Sequence, residues 1–97
     1  IKDINISKEK IFSIINYMFG IDKKDLIGRK NDKKTNLARQ IAAYLLIEKS
    51  NFNTSQAGLL LGNRNHSTII YSVNKIKELL SKDVELKQEI EKSILNY

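Results

Sequence analysis

Asn65, His66, Ser67 and Thr68 place amide, imidazole and hydroxyl groups side by side where a glycine turn passes into an amphipathic run. Short donors and acceptors of this kind suit hydrogen bonding to base edges in a major groove. Thr68 adds a methyl that can meet a thymine methyl, and His66 and Asn65 donate or accept according to tautomer and rotamer. Arg64 and Lys75 bracket the four as cations suited to phosphate. Catalysis fits poorly: the chain has no GxxxxGK[ST] loop, no acid pair in a recognisable catalytic spacing and no supported serine-histidine-acid order. A single histidine and no cysteine exclude a zinc constellation and disulfides, so the chain reads as a non-enzyme with no metal.

A reading end of this type needs a helix to carry it and a second helix to hold that helix in place. Asn53 or Thr54 supplies an N-cap oxygen, Gln56 stands where a capping partner reaches back, and Ala57, Leu60 and Leu61 line one side of a first helix over 54–61. Gly62 ends that helix in a left-handed turn, and a second helix runs over 66–80. The spacing predicts an inward face of Ile69, Ile70, Val73, Ile76 and Leu80 and an outward face of Thr68, Tyr71, Ser72 and Lys75. The pair reads as a helix-turn-helix.

The rest of the chain reads as its support. Ser7 caps a helix near 8–19 carrying Ile11, Ile14, Ile15, Met18 and Phe19; Gly20 closes it, and Asp22 caps a brief turn through Ile27. A polar basic loop, GRKNDKKT at 28–35, leads into a helix near 34–49 whose apolar residues almost encircle it, the mark of a central helix. Asp83 caps a final helix near 84–97, with Leu86, Ile90, Ile94 and Tyr97 on one face and mixed charges elsewhere. The expected fold is all-α, a small helical domain.

The composition agrees. Ninety-seven residues, 41% of them hydrophobic and none of them proline, suit one domain with one core. The formal charge of +6 is unevenly spread: residues 29–75 hold eight bases against two acids, whereas 76–97 hold four bases and five acids. An excess confined to a loop and its neighbouring helices is the footprint of a polyanion. Basic arms beside helix-turn-helix motifs enter minor grooves or grip phosphates, which puts Arg29, Lys30, Lys33 and Lys34 in the site. Arg39 and Gln40, near a helix start, suit a phosphate, and Thr54 and Ser55 add hydroxyls at the start of the first motif helix. No run approaches the roughly 20 apolar residues of a membrane span, and a cytoplasmic location is expected. The chain begins at Ile1, so it reads as one part of a longer protein.

The run GNRNHSTIIYSVNKI closely resembles the motif GGRDHTTVxxAxxKI of the C-terminal DNA-binding domain of the bacterial replication initiator DnaA, matching at Gly62, Arg64, His66, Thr68, Lys75 and Ile76. Upstream, ARQIAAYL around Arg39 and Gln40 resembles that family's ARQxAMYL, so the likeness spans nearly the whole chain. The resemblance implies base and phosphate contacts for Asn65, His66, Ser67 and Thr68. It also implies binding of double-stranded DNA at origin DnaA-box sites as a monomer per site, and a full-length protein that oligomerises on DNA in the nucleoid. ATP would bind an AAA+ module elsewhere in that polypeptide, so no cofactor is expected here. The chain departs from the family with Ser67 for threonine, Asn63 for glycine and Asn65 for aspartate, and with Asn31 where a loop arginine enters the minor groove. One of Lys30, Lys33 and Lys34, or Arg29 after a small loop shift, takes its place, or minor-groove readout is weaker; Lys33 and Lys34 are assigned to phosphates and the groove residue is left open. Two alternatives belong to other classes: docking on acidic phospholipid, with which DnaA-like proteins are associated, and a protein-interaction bundle.

Overall fold

In a computed structural model, which describes residues 5–96 with backbone alone at 96, the chain forms six helices. They are α1 (Lys8–Phe19), α2 (Lys23–Ile27), α3 (Lys33–Lys49), α4 (Thr54–Leu60), α5 (His66–Lys82) and α6 (Val84–Asn96). The all-α expectation holds, and Tyr97, assigned to the last apolar face, lies outside the described residues. Short polar side chains set the helix starts. Ser7 accepts from the Lys10 amide, Asp22 from that of Asp25 and Asp32 from that of Thr35. Asn53 and Gln56 exchange both bonds of a capping box.

Helix α3 is the axle of the domain. Ala38, Ile41, Ala42, Ala43, Leu45 and Leu46 are buried around most of its circumference, and it packs against α1, α2, α4 and α5. The small Ala38, Ala42 and Ala43 let its neighbours approach closely, while Ile11, Ile14, Ile15, Leu26, Leu61, Ile69 and Ile76 fill the space between. Helix α6 closes the far end by setting Ile90 and Ile94 against α5 and α1. No helix of the described residues is long and apolar enough to cross a membrane.

Three sequence expectations need correction. Helix α3 begins at Lys33, so the end of the predicted 28–35 loop is helical: Asp32 accepts from both the Thr35 amide and the Thr35 hydroxyl (2.7 Å) and starts the helix there. On α5, Ile70 faces outward at 45% exposure, whereas Ser72 is buried at 6%. Ile70 lies about 100° around the helix from Ile69, away from the core direction. Ser72 is three residues after Ile69 and four before Ile76, which places it between them.

Candidate nucleic-acid interface

The turn between α4 and α5 is built by close backbone approach. The Arg64 amide donates to the Gly58 carbonyl at 2.7 Å, and a Cβ on Gly58 would collide with the Arg64 carbonyl oxygen. Gly62 adopts φ +92°, and a Cβ there would meet the Ile27 carbonyl oxygen. Asn63 follows, also left-handed at φ 65°. Of these positions sequence reasoning identified Gly62; Gly58 carried no signal, because a glycine inside a helical run does not announce which backbone approaches it.

Helix α5 therefore starts at the surface. Asn65 is its N-cap, its Oδ1 accepting from the Ser67 amide at 2.7 Å. Asn65, His66, Ser67 and Thr68 are all exposed, and the side chains of the last three make no hydrogen bond within the described protein. The four expected reading residues lie together, with Asn65 Oδ1 engaged in the cap and the other three side chains without a hydrogen bond among the described residues. Beyond them the outward stripe continues through Ile70, Tyr71 (60% exposed) and Lys75, whose Nζ lies 5.8 Å from the Tyr71 ring centroid. The exposed Ile70 is a member of this surface that periodicity alone had placed in the core.

The basic loop sits against this turn, and two arginines hold it there. Arg64 donates from Nη1 to the Leu61 carbonyl at 2.8 Å and from Nη2 to the Gly28 carbonyl at 2.8 Å, with a longer Nη1 contact of 3.4 Å to Ile27. Arg39 donates from Nε to the Leu26 carbonyl (2.7 Å), from Nη1 to Asn36 Oδ1 (3.0 Å) and from Nη2 to the carbonyls of Lys30 (2.9 Å) and Asp25 (3.4 Å). Asn36 also donates to the Asn31 carbonyl at 3.2 Å. The guanidiniums thus cap the C-terminal carbonyls of α2, where the helix dipole favours cations, and fix the path of residues 28–31.

These bonds give Arg39 and Arg64 a structural task besides the phosphate contacts expected of them. Four of the five guanidinium N–H groups of Arg39 already have acceptors, and three bonds tie down Arg64. In the free protein they hold the loop in position. Nor does Arg39 form an ion pair with Asp32, whose carboxylate is occupied by Thr35. The Thr35 hydroxyl and then its amide hold the Asp32 carboxyl below its ordinary value of 3.8. Burial, then the nearby Arg64 charge, pulls the Arg39 pKa down.

With the arginines engaged inward, the remaining cations face outward. Lys30, Lys33, Lys34 and Arg29 are exposed, as is Asn31. Lys33, Lys34, Asn36, Leu37 and Gln40 from α3 line an open groove with Lys75 and Leu79 from α5. The groove has a volume of about 610 Å³ and is open to solvent. The first turn of α3 has no acid, and two lysines stand where a helix dipole disfavours cations. The two ion pairs among the described residues, Lys77 with Glu48 and Lys82 with Glu78, involve none of these lysines. Thr54 and Ser55 lie in the first turn of α4, Thr54 half-buried and Ser55 exposed. They are not among the lining residues of the lysine groove.

Comparison with known proteins agrees with this layout. Residues 8–76 match the family model described as the bacterial dnaA protein helix-turn-helix. The chain is 33% identical over 85 residues to the chromosomal replication initiator protein DnaA of Herpetosiphon aurantiacus, covering 88% of this chain and 18% of that protein. It is 35% identical over 85 residues to the DnaA of Chloroflexus aurantiacus, with the same coverage. To that of Crocosphaera subtropica it is 33% identical over 89 residues, 92% of this chain and 20% of that protein. The chain therefore spans about a fifth of the length of these relatives. The matched region runs from the first residue of α1 through the reading end of α5 and Lys75, and the chain belongs to the bacterial DnaA helix-turn-helix family.

Proposed function

We propose that this domain binds double-stranded DNA sequence-specifically at DnaA-box sites of a bacterial replication origin, setting an ATPase module of the same polypeptide in place for initiation. The observation that carries the reading is the exposed start of α5, where Asn65, His66, Ser67 and Thr68 present polar groups beside exposed cations that form no ion pair among the described residues. Such an end enters a major groove and meets base edges. The loop at 29–32, held against the turn by Arg39 and Arg64, lies at the flanking minor groove or its phosphates. Lys33, Lys34, Gln40 and Lys75 follow the backbone along their groove, with Thr54 and Ser55 as additional phosphate contacts.

Docking on acidic phospholipid would use the same lysines but would show no base preference. Replacing His66 or Thr68 by alanine separates the readings. Each replacement costs roughly 1–3 kcal/mol on the specific duplex and leaves nonspecific binding nearly unchanged. Equal losses on specific and scrambled duplexes would remove these residues from base reading.

A further inference from the structure

Asn65 has a fixed orientation with consequences for base preference. Its Oδ1 accepts the Ser67 amide at 2.7 Å, in the N-cap bond that starts α5. Rotating the amide by half a turn would put its NH2 against that N–H, donor against donor, and the cap would be lost. The Asn65 Nδ2 has no acceptor in the described protein, and the residue is exposed. The group it turns away from the cap is therefore the Nδ2 donor.

An aspartate capping the same helix would present the opposite edge. One carboxylate oxygen would take the Ser67 amide, and the other would remain an acceptor. In the major groove cytosine offers only its N4 donor, whereas guanine, adenine and thymine each offer an acceptor at O6 or N7, N7, or O4. An acceptor-only side chain selects cytosine; a donor facing the base disfavours it.

We infer that Asn65 is a specificity residue whose Nδ2 donates to a base acceptor, so that this domain disfavours cytosine at the position an aspartate there would favour. The inference rests on α5 entering the major groove as proposed above. The test is selection from a duplex library randomised over one helical turn, performed with the unaltered chain, with Asn65→Asp and with His66→Ala. Asn65→Asp keeps an N-cap oxygen, so the helix start survives, and its added negative charge lowers affinity for every duplex alike. At one base-pair position the ratio of cytosine to the preferred base should rise roughly 5- to 150-fold in Asn65→Asp, with the other positions unchanged. Identical base profiles for the unaltered chain and Asn65→Asp, with His66→Ala altering its own position, would overturn the role of Asn65 alone. No base preference in any of the three proteins would overturn the major-groove reading and this inference together.

Discussion

Replacing Arg39 by alanine removes the 2.7 Å bond to the Leu26 carbonyl, the 3.0 Å bond to Asn36 and the 2.9 Å bond to the Lys30 carbonyl, besides the longer contact to Asp25. Hydrogen bonds from a charged donor are each worth about 1.5–3 kcal/mol when well shielded. Arg39 is half-buried and its carbonyl partners rehydrate once it is gone, so about 1 kcal/mol per well-formed bond is the appropriate figure, or roughly 3 kcal/mol in all. A domain of this size shifts in Tm by about 4–8 °C per kcal/mol, so the loss is on the order of 10–20 °C. Arg39→Lys should recover little of it, because one ammonium cannot replace a planar fork that reaches carbonyls on two segments. The assay pairs thermal melts of both variants with DNA binding across a salt series. Affinity falls because residues 28–31 lose their path, and the fall accompanies the loss of thermal stability. A variant with unchanged Tm and a slope reduced by about one unit would show Arg39 to be a direct phosphate clamp and refute the positioning role.

Three further perturbations probe other parts of the account. Gly58→Ala drives a Cβ into the Arg64 carbonyl oxygen and should destabilise the domain by about 1–3 kcal/mol or more, read by urea unfolding. Lys34→Ala should leave stability nearly unchanged and reduce the salt slope by about 0.9 unit on specific and scrambled duplexes alike. The bonds from Thr35 depress the Asp32 carboxyl in the folded state, so its contribution to stability is present above its unfolded value of about 3.8 and is lost as pH falls through the lower folded value. Asp32→Asn should therefore flatten the acid limb of the stability curve below about pH 4, as followed by circular dichroism against pH.

Much of the fold is written in local signals. Ser7, Asp22 and Asn53 each announce a helix start because a short polar side chain caps only a neighbouring amide, and Gly20 and Gly62 announce ends through their left-handed backbone. The encircling apolar surface of residues 37–47 identifies the central helix for the same reason: periodicity is a property of one segment. Long-range geometry is not local, and there the reading failed. That Arg39 and Arg64 turn inward depends on α2 ending with its carbonyls beside them, across 13 and 36 residues of chain. A guanidinium near a helix start looks the same in sequence whether it meets a phosphate or a backbone carbonyl. Ile70 and Ser72 were exchanged because apolar character was taken as inward-facing, whereas the angular position between Ile69 and Ile76 decides which side chain is covered. That residues 65–68 are exposed at the start of α5 was legible from the glycine turn and the polar run that follows it.

The central claim is that the start of α5 reads bases while the lysines around it grip the backbone. Equilibrium binding to a duplex carrying a DnaA-box site and to a scrambled duplex, each across a range of salt, tests both halves together. If about five exposed cations reach phosphates, the slope of log affinity against log salt is about −4.5 on both duplexes, and the box duplex binds roughly three orders of magnitude tighter or more. Equal affinity for the two duplexes, or a slope near zero on either, would contradict the account.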